Sequence, residues 1–580
     1  MRRFIVGLLV VIGAITLLIM VAGAGLVVWV RISGPRVPEA AVLTLDINGD
    51  LPDAPQNRGL IGLLRPHETS LRDVVGALDK AGRDPRVKGL LLRIGGGDFG
   101  LAQVQELRDA IRAFRAKGKT VFAYSDSYGE FAPGTRAYYL ASACDEIWLQ
   151  PLGMVGLVGL RAEEPFFRGT LDKLGLVPRF DQREQYKTAM DFLTKTKMSD
   201  AEREQLQSLL GSMLDQIVAG IADGRGLAPD RVRDLIAGGP YLAQDALTDH
   251  LVDHLGPVDD ALAALKQRAG GAKAIRLSSY LDSVSRPHKS GPVVALIYGD
   301  GLMTRGKSDD SALFGSGVMG SDSVVHAFRL AERDKAVRAI IFRVDSPGGS
   351  AVAAESIWNE VKKARADGKP VIVSMGGVAG SGGYYIAADA SKIVAEPATL
   401  TGSIGVLAGK VLIGGLLDKI GAGADAVQTS DNAALYSALD DFTPQGYQKF
   451  EAALDATYAG FKARVATGRQ MTAAQVENLA KGRIWTGAQA KGNGLVDALG
   501  GYDTAIALAK AEIGVPASGE VTLKVYPRPE SSLKVLFNRL TGNENEDPLA
   551  LLPSLSGFMR ELATLAMRPG MLVMPPIEIH

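Results

Sequence analysis

The chain has 580 residues, too many for one hydrophobic core, so two or more domains are expected. Hydrophobic residues make up 47% and charged residues 22%, ordinary for a globular protein carrying one extra apolar segment. Lys+Arg and Asp+Glu both number 64, so no bulk field selects nucleic acid or an acidic partner, and a single cysteine, Cys144, excludes an intrachain disulfide and a thiolate metal cluster.

Residues 4–30 run without a charge, and Thr16 is the most polar side chain among them. A bilayer span needs about 20 apolar residues, so this stretch is long enough to cross with some tilt. Trp29 and Arg31 close it as an interfacial aromatic and a charge would. Ala22-Gly23-Ala24 offers the small residues of a cleavable signal, but the apolar run continues to Val30 and favours an uncleaved anchor. Residues 1–35 therefore read as a cytoplasmic N-terminus and a transmembrane anchor. Arg2 and Arg3 place the bulk of the chain outside the cytoplasm, a bias that Arg31 and Arg36 weaken.

Beyond the anchor the sequence is written twice. AGRDPRVKGLLLRI (81–94) matches AERDKAVRAIIFRV (331–344) at an offset of 250, and GKTVFAY (118–124) matches GKPVIVS (368–374) at the same offset. YYLASACDEIWLQP (138–151) matches YYIAADASKIVAEP (384–397) at 246, and HLVDHLG (250–256) matches GLVDALG (494–500) at 244. So small a drift predicts two tandem domains of one fold, 40–270 and 290–515, joined near residues 277–292.

Each copy reads as α/β. AVLTLDI, VKGLLLRI and TVFAY in the first copy are short β-branched or apolar runs suited to buried strands, as are PVVALIYG, VRAIIFRV and PVIVSM in the second. LAQVQELRDAIRAFRAKGK and SAVAAESIWNEVKKARADGK show apolar i, i+3, i+4 spacing and end in glycine, which predicts helices. A further helix carries each YY pair, and residues 198–220 and 443–466 read as longer helices. Strands alternating with helices predict a mostly parallel sheet. In the tail, 516–580, TGNENEDP (541–548) reads as a link and residues 551–567 as an amphipathic helix.

Differences between the copies are more informative than matches. Asp345-Ser346-Pro347-Gly348-Gly349-Ser350 stands where the first copy has Gly95-Gly96-Gly97-Asp98-Phe99-Gly100. A Pro-Gly-Gly turn at a strand end exposes backbone N–H groups that can stabilise negative charge, although most such turns are only turns. Ser381 lies between glycines at the predicted start of the YY helix, where a nucleophile or an ordinary N-cap serine would stand. Its first-copy partner, at offset 246, is Thr135, followed by Arg136 in place of glycine.

None of the six histidines lies in a Gly-rich turn or beside a serine motif, so no Ser-His triad is indicated. His250 and His254 have the i, i+4 spacing of a metal helix, but their repeat partners are Gly494 and Ala498 and no H-E-x-x-H glutamate accompanies them. No metal or cofactor is expected. A desolvated lysine can serve as base if its pKa falls from near 10.4 to about 7. Lys187, in REQYKTAMDF, is a candidate whose second-copy partner at offset 244 is Asp431. Sequence physics alone does not choose it over other lysines.

DSPGGS (345–350), GSGGYY (380–385), TGSIGV (401–406) and YKTA (186–189) together resemble the signal peptide peptidase A (protease IV) family in its long bacterial form. The resemblance covers nearly the whole chain and implies a tandem ClpP/crotonase-like β–β–α superhelix. It implies a Ser/Lys dyad across the duplication, with Ser381 as nucleophile, Lys187 as general base and Ser403 positioning the lysine. Gly382 with Gly348 or Gly349 would form the oxyanion hole. It further implies a homotetramer in the bacterial inner membrane, degrading cleaved signal peptides or other apolar peptides in or near the bilayer. Two other readings use the same fold: a non-catalytic scaffold or peptide-binding protein, and an acyl-CoA hydratase or isomerase.

Overall fold

The computed structural model describes residues 13, 18, 37–53, 69–97, 99–284, 288, 290–308, 317–527, 571–574 and 579. Apart from Gly13 and Leu18, the expected anchor lies outside the described residues, as do the expected link 541–548 and helix 551–567. Among the described residues no helix is long and apolar enough to cross a membrane.

The first half contributes β1 (Ala41–Ile47), α1 (Leu71–Arg83), β2 (Val87–Ile94), α2 (Leu101–Ala116), β3 (Thr120–Ser125), α3 (Thr135–Ala141), β4 (Glu146–Leu149), β5 (Val177–Arg183), α4 (Asp200–Arg225), β6 (His254–Leu255) and β7 (Lys273–Arg276). The second half begins with β8 (Val293–Asp300), β9 (Leu302–Thr304), β10 (Val318–Gly320), α5 (Ser321–Arg333), β11 (Val337–Ser346), β12 (Gly348–Ser350), α6 (Ala351–Ala366) and β13 (Val371–Gly380). It continues with α7 (Gly382–Ala387), β14 (Lys392–Ala395), β15 (Leu400–Gly402), β16 (Val406–Leu412), α8 (Pro444–Arg469), β17 (Ile484–Thr486), β18 (Ala498–Leu499) and β19 (Thr522–Val525). From the tail comes β20 (Met571–Val573).

The duplication is visible in strand order. In the first sheet the order is β6-β4-β3-β2-β1-β7, and every pairing is parallel. The second repeats it as β18-β14-β13-β11-β8-β19, again parallel, with β15 added beside β13 and β17 antiparallel on β15. Apolar runs such as VKGLLLRI suit this position because the sheet is covered on both faces, leaving only Lys88 and Arg93 of β2 exposed. Helices cover it with one stripe each. In α1, Leu71, Val74, Val75 and Leu78 are buried, and Ser70 Oγ caps the start by accepting the Asp73 N–H at 3.2 Å. The two long helices expected from sequence are α4 and α8, of 26 residues each.

Two features escape the sequence boundaries. The limits at 270 and 515 fall short of the edge strands β7 and β19, because short strands at a sheet edge carry little periodic signal. A third sheet, β10-β9-β12-β20-β16-β5, draws on both halves and on the tail. Within it β5 of the first half pairs antiparallel with β16 of the second, from Val406 opposite Arg183 to Leu412 opposite Val177.

Candidate active site

That cross-half ladder sets the course of the chain on leaving β5 and on entering β16. Beyond Arg183 the first-half chain turns, with the Lys187 N–H on Glu184 O at 3.1 Å and the Tyr186 N–H on Lys481 O at 3.1 Å. Ser403 lies just before β16, its N–H donated to Arg483 O at 2.8 Å, while the Gly482 N–H bonds Ile404 O at 2.9 Å. One tight turn at 481–483 therefore grips the lysine segment on one side and the Ser403 segment on the other. Lys481 and Gly482 take φ of 60° and 81° to make it.

Ser381 sits between β13 and α7 with φ 53° and ψ −112°, in the left-handed half of backbone space where a side chain is strained. It is held there by its N–H on Gly402 O at 2.8 Å and by the Tyr385 N–H on its own carbonyl at 2.8 Å. Gly383 has no room for a side chain, since a Cβ there would lie 2.6 Å from Ser346 O.

Lys187 Nζ lies 2.7 Å from Ser381 Oγ, 2.9 Å from Ser403 Oγ and 3.0 Å from Ser403 O. All three residues are fully buried. Desolvation holds the Lys187 amine well below the usual lysine range. The fold thus brings together Ser381, Lys187 and Ser403, which sequence had set on different segments.

The glycines named for an oxyanion hole lie around this centre. Gly382 is the first residue of α7, directly after Ser381. Gly348 and Gly349 form β12 at φ 100° and 151°, and a Cβ on Gly349 would meet Met303 O at 2.1 Å. The Gly348 N–H is donated to Ser346 Oγ at 3.2 Å, and that hydroxyl donates to Gly301 O at 2.6 Å.

Elsewhere the chemistry-bearing residues are otherwise engaged. Thr135 is buried and ties a loop, donating to Gly159 O at 3.0 Å and accepting the N–H of Val158 and Gly159 at 3.2 Å. Asp431 is exposed in a short 3-10 turn. Burial pushes the Cys144 thiol up to about 12, so it is no nucleophile. His250 and His254 are exposed, and His254 stacks on Trp148 with ring centroids 4.4 Å apart.

Sequence reading missed Asp345 as anything but part of a turn. Its half-buried carboxylate accepts the N–H groups of Gly377 and Val378 at 3.2 and 3.0 Å, in the strand that leads into Ser381. Desolvation, with the nearby charges of Asp53 and Asp300, pushes it up to about 7. Gly376, where a Cβ would lie 2.6 Å from Asp345 Oδ2, is the local signal that a group packs there.

The sequence matches the family model of peptidase family S49 at residues 113–271 and 363–516, one match in each half. It is 34% identical to Protease 4 of Salmonella typhi over 547 residues, covering 90% of this chain and 86% of that protein. The chain belongs to peptidase family S49. The peptidase is also 32% identical to a chloroplastic serine protease SPPA of Arabidopsis thaliana, over 91% of this chain and 76% of that one. A putative signal peptide peptidase SppA of Enterococcus faecium is 34% identical over 31% of this chain and 53% of its own. The peptidase is a serine protease with a tandem duplication, and the scaffold and hydratase readings lose their ground.

Proposed function

We propose that Ser381 and Lys187 are the catalytic dyad of this protease, each half of the duplication supplying one residue. The 2.7 Å contact between Lys187 Nζ and Ser381 Oγ, in a buried setting where no carboxylate among the described residues pairs with the lysine, carries this reading. A neutral amine has two N–H groups and one lone pair. Ser403 O and Ser403 Oγ take the two donors, which leaves the lone pair for the Ser381 hydroxyl proton.

In the proposed cycle, Ser381 Oγ attacks a peptide carbonyl as its proton passes to Lys187. The oxyanion is met by the Gly382 N–H together with that of Gly348 or Gly349. Protonated Lys187 then protonates the leaving amine. Water, deprotonated by the same lysine, hydrolyses the acyl-enzyme and restores the serine. Ser403 keeps the amine aimed throughout.

The substrates proposed are released signal peptides and other apolar peptides in or near a bacterial inner membrane. The apolar stretch 4–30 would tether the enzyme in a single pass, with its bulk on the periplasmic side. The matching strand order of the two main sheets supports a tandem ClpP/crotonase-like fold, and a homotetramer of such chains is the assembly proposed. The test is labelling by a serine-reactive phosphonate together with hydrolysis of an apolar peptide. Wild type should do both, and Ser381→Ala and Lys187→Ala neither. Near-wild-type hydrolysis by Lys187→Ala would show that the dyad is misassigned.

A further inference from the structure

The tail strand β20 does not cap an outer edge of the third sheet. It lies inside it, between β12 and β16. Against β12 it runs antiparallel, with Gly348 opposite Val573, Gly349 opposite Leu572 and Ser350 opposite Met571, and the Met574 N–H donates to Pro347 O at 2.7 Å. On its other side Met571 stands opposite Leu407 of β16. Strand addition of this kind is how extended peptides are held, with backbone bonds for affinity and side-chain pockets for selection.

The position is next to the chemistry. β12 contains Gly348 and Gly349, and β16 begins shortly after Ser403. Val573 is buried in an apolar pocket of Ala189, Met190, Leu193 and Leu407, of which the first two lie close after Lys187 in the chain. Met574 is buried against Gly380, the residue before Ser381, where a Cβ would lie 2.6 Å from the Met574 sulfur. A short apolar strand thus touches the neighbours of both Lys187 and Ser381.

We propose that residues 571–574 are an internal occupant of the peptide-binding groove and compete with substrate for it. The inference rests on the dyad reading above and adds its ligand: an extended peptide, antiparallel to β12, with an apolar side chain in the pocket that Val573 fills. Substrate enters only when β20 has left, so the apparent affinity is reduced by the fraction of time the groove is empty.

Two full-length-derived proteins test this: V573D, and a chain stopped after Gly570. Steady-state hydrolysis of an apolar fluorogenic peptide should show KM lowered by about tenfold or more in both, with kcat unchanged. Labelling of Ser381 should quicken, and a synthetic peptide MLVMPPIEIH should inhibit the shortened chain competitively. Wild-type KM and labelling rates in the folded V573D protein, or a raised KM, would overturn the internal competitor while leaving the dyad intact. Absence of Ser381-dependent labelling and hydrolysis in every protein, wild type included, would overturn the dyad and the competitor together.

Discussion

Gly482 stands so close to Lys187 that a Cβ built on it would lie 2.5 Å from the Lys187 amide nitrogen and 2.6 Å from its Cβ. Gly482 also has φ 81°, where a side chain is strained by about 1–2 kcal/mol. G482A should therefore push the lysine turn away from Ser381. A misplacement near 1 Å costs on the order of 100-fold in rate, so kcat/KM for an apolar peptide should fall by about that factor. The denaturation midpoint should fall only modestly. Wild-type kcat/KM in G482A would mean that this approach does not set the position of the amine.

Ser403 offers the amine two acceptors, and only Oγ is lost in S403A. One neutral hydrogen bond contributes about 0.5–1.5 kcal/mol, which corresponds to roughly 2- to 10-fold in rate. The expected result is a drop in kcat within that range with KM unchanged, since the hydroxyl is engaged by the lysine amine. A loss as large as that of K187A would instead make Ser403 a direct participant in proton transfer.

Lys187 should govern the pH profile. Desolvation lowers its pKa in the folded protein, so the reactive neutral amine appears as pH rises through that lowered value. Activity should rise with one apparent pKa well below 10.5. Proton counts give the sign for stability: between the lowered folded pKa and the ordinary value, the unfolded chain binds the extra proton. The contribution of Lys187 to stability is thus full above about 10.5 and is lost as pH falls towards the folded pKa. K187M should be inactive, more stable than wild type near pH 7, and less dependent on pH between 7 and 10 in urea titrations. An unchanged slope would place the ordinary lysine pKa back in the folded state.

Much of this was legible in the sequence because it was written twice. The repeat exposed Ser381 against Thr135 and Lys187 against Asp431, and the motifs then resembled one family. The α/β character and the parallel order came from apolar runs that only sheets covered on both faces tolerate. What could not be read was contact between distant segments. Nothing in VPRFDQR foretells its pairing with VLAGKVL, and β20 is three residues in a tail without periodicity. Arg93 and Arg343 align in the repeat, yet one is half-exposed beside Asp46 at 3.6 Å and the other is buried between the halves. Local pattern reports the residue type and not its surroundings.

Arg343 therefore supplies the sharpest test of how the halves are joined. Its guanidinium lies 3.0 Å from Asp53 and 3.0 Å from Glu106, both of the first half, and Nη1 donates to Ser374 Oγ at 3.0 Å. Glu106 in turn accepts the Tyr502 N–H at 2.6 Å, and the guanidinium covers the Tyr502 ring. Burial alone would lower the Arg343 pKa, but the two carboxylates hold it well above its ordinary value. R343A leaves two inward carboxylates without their cation, and breaking a buried pair in this way costs about 3–5 kcal/mol. The double variant R343A/E106Q should recover part of that loss, because the two residues share one network. Ser374 lies on β13, which ends at Gly380 beside Ser381, so activity should fall with stability in R343A and return partly in the double variant. A loss under about 1 kcal/mol in R343A, read from the denaturant midpoint, would mean that the ladder of β5 on β16 holds the halves together without this cluster.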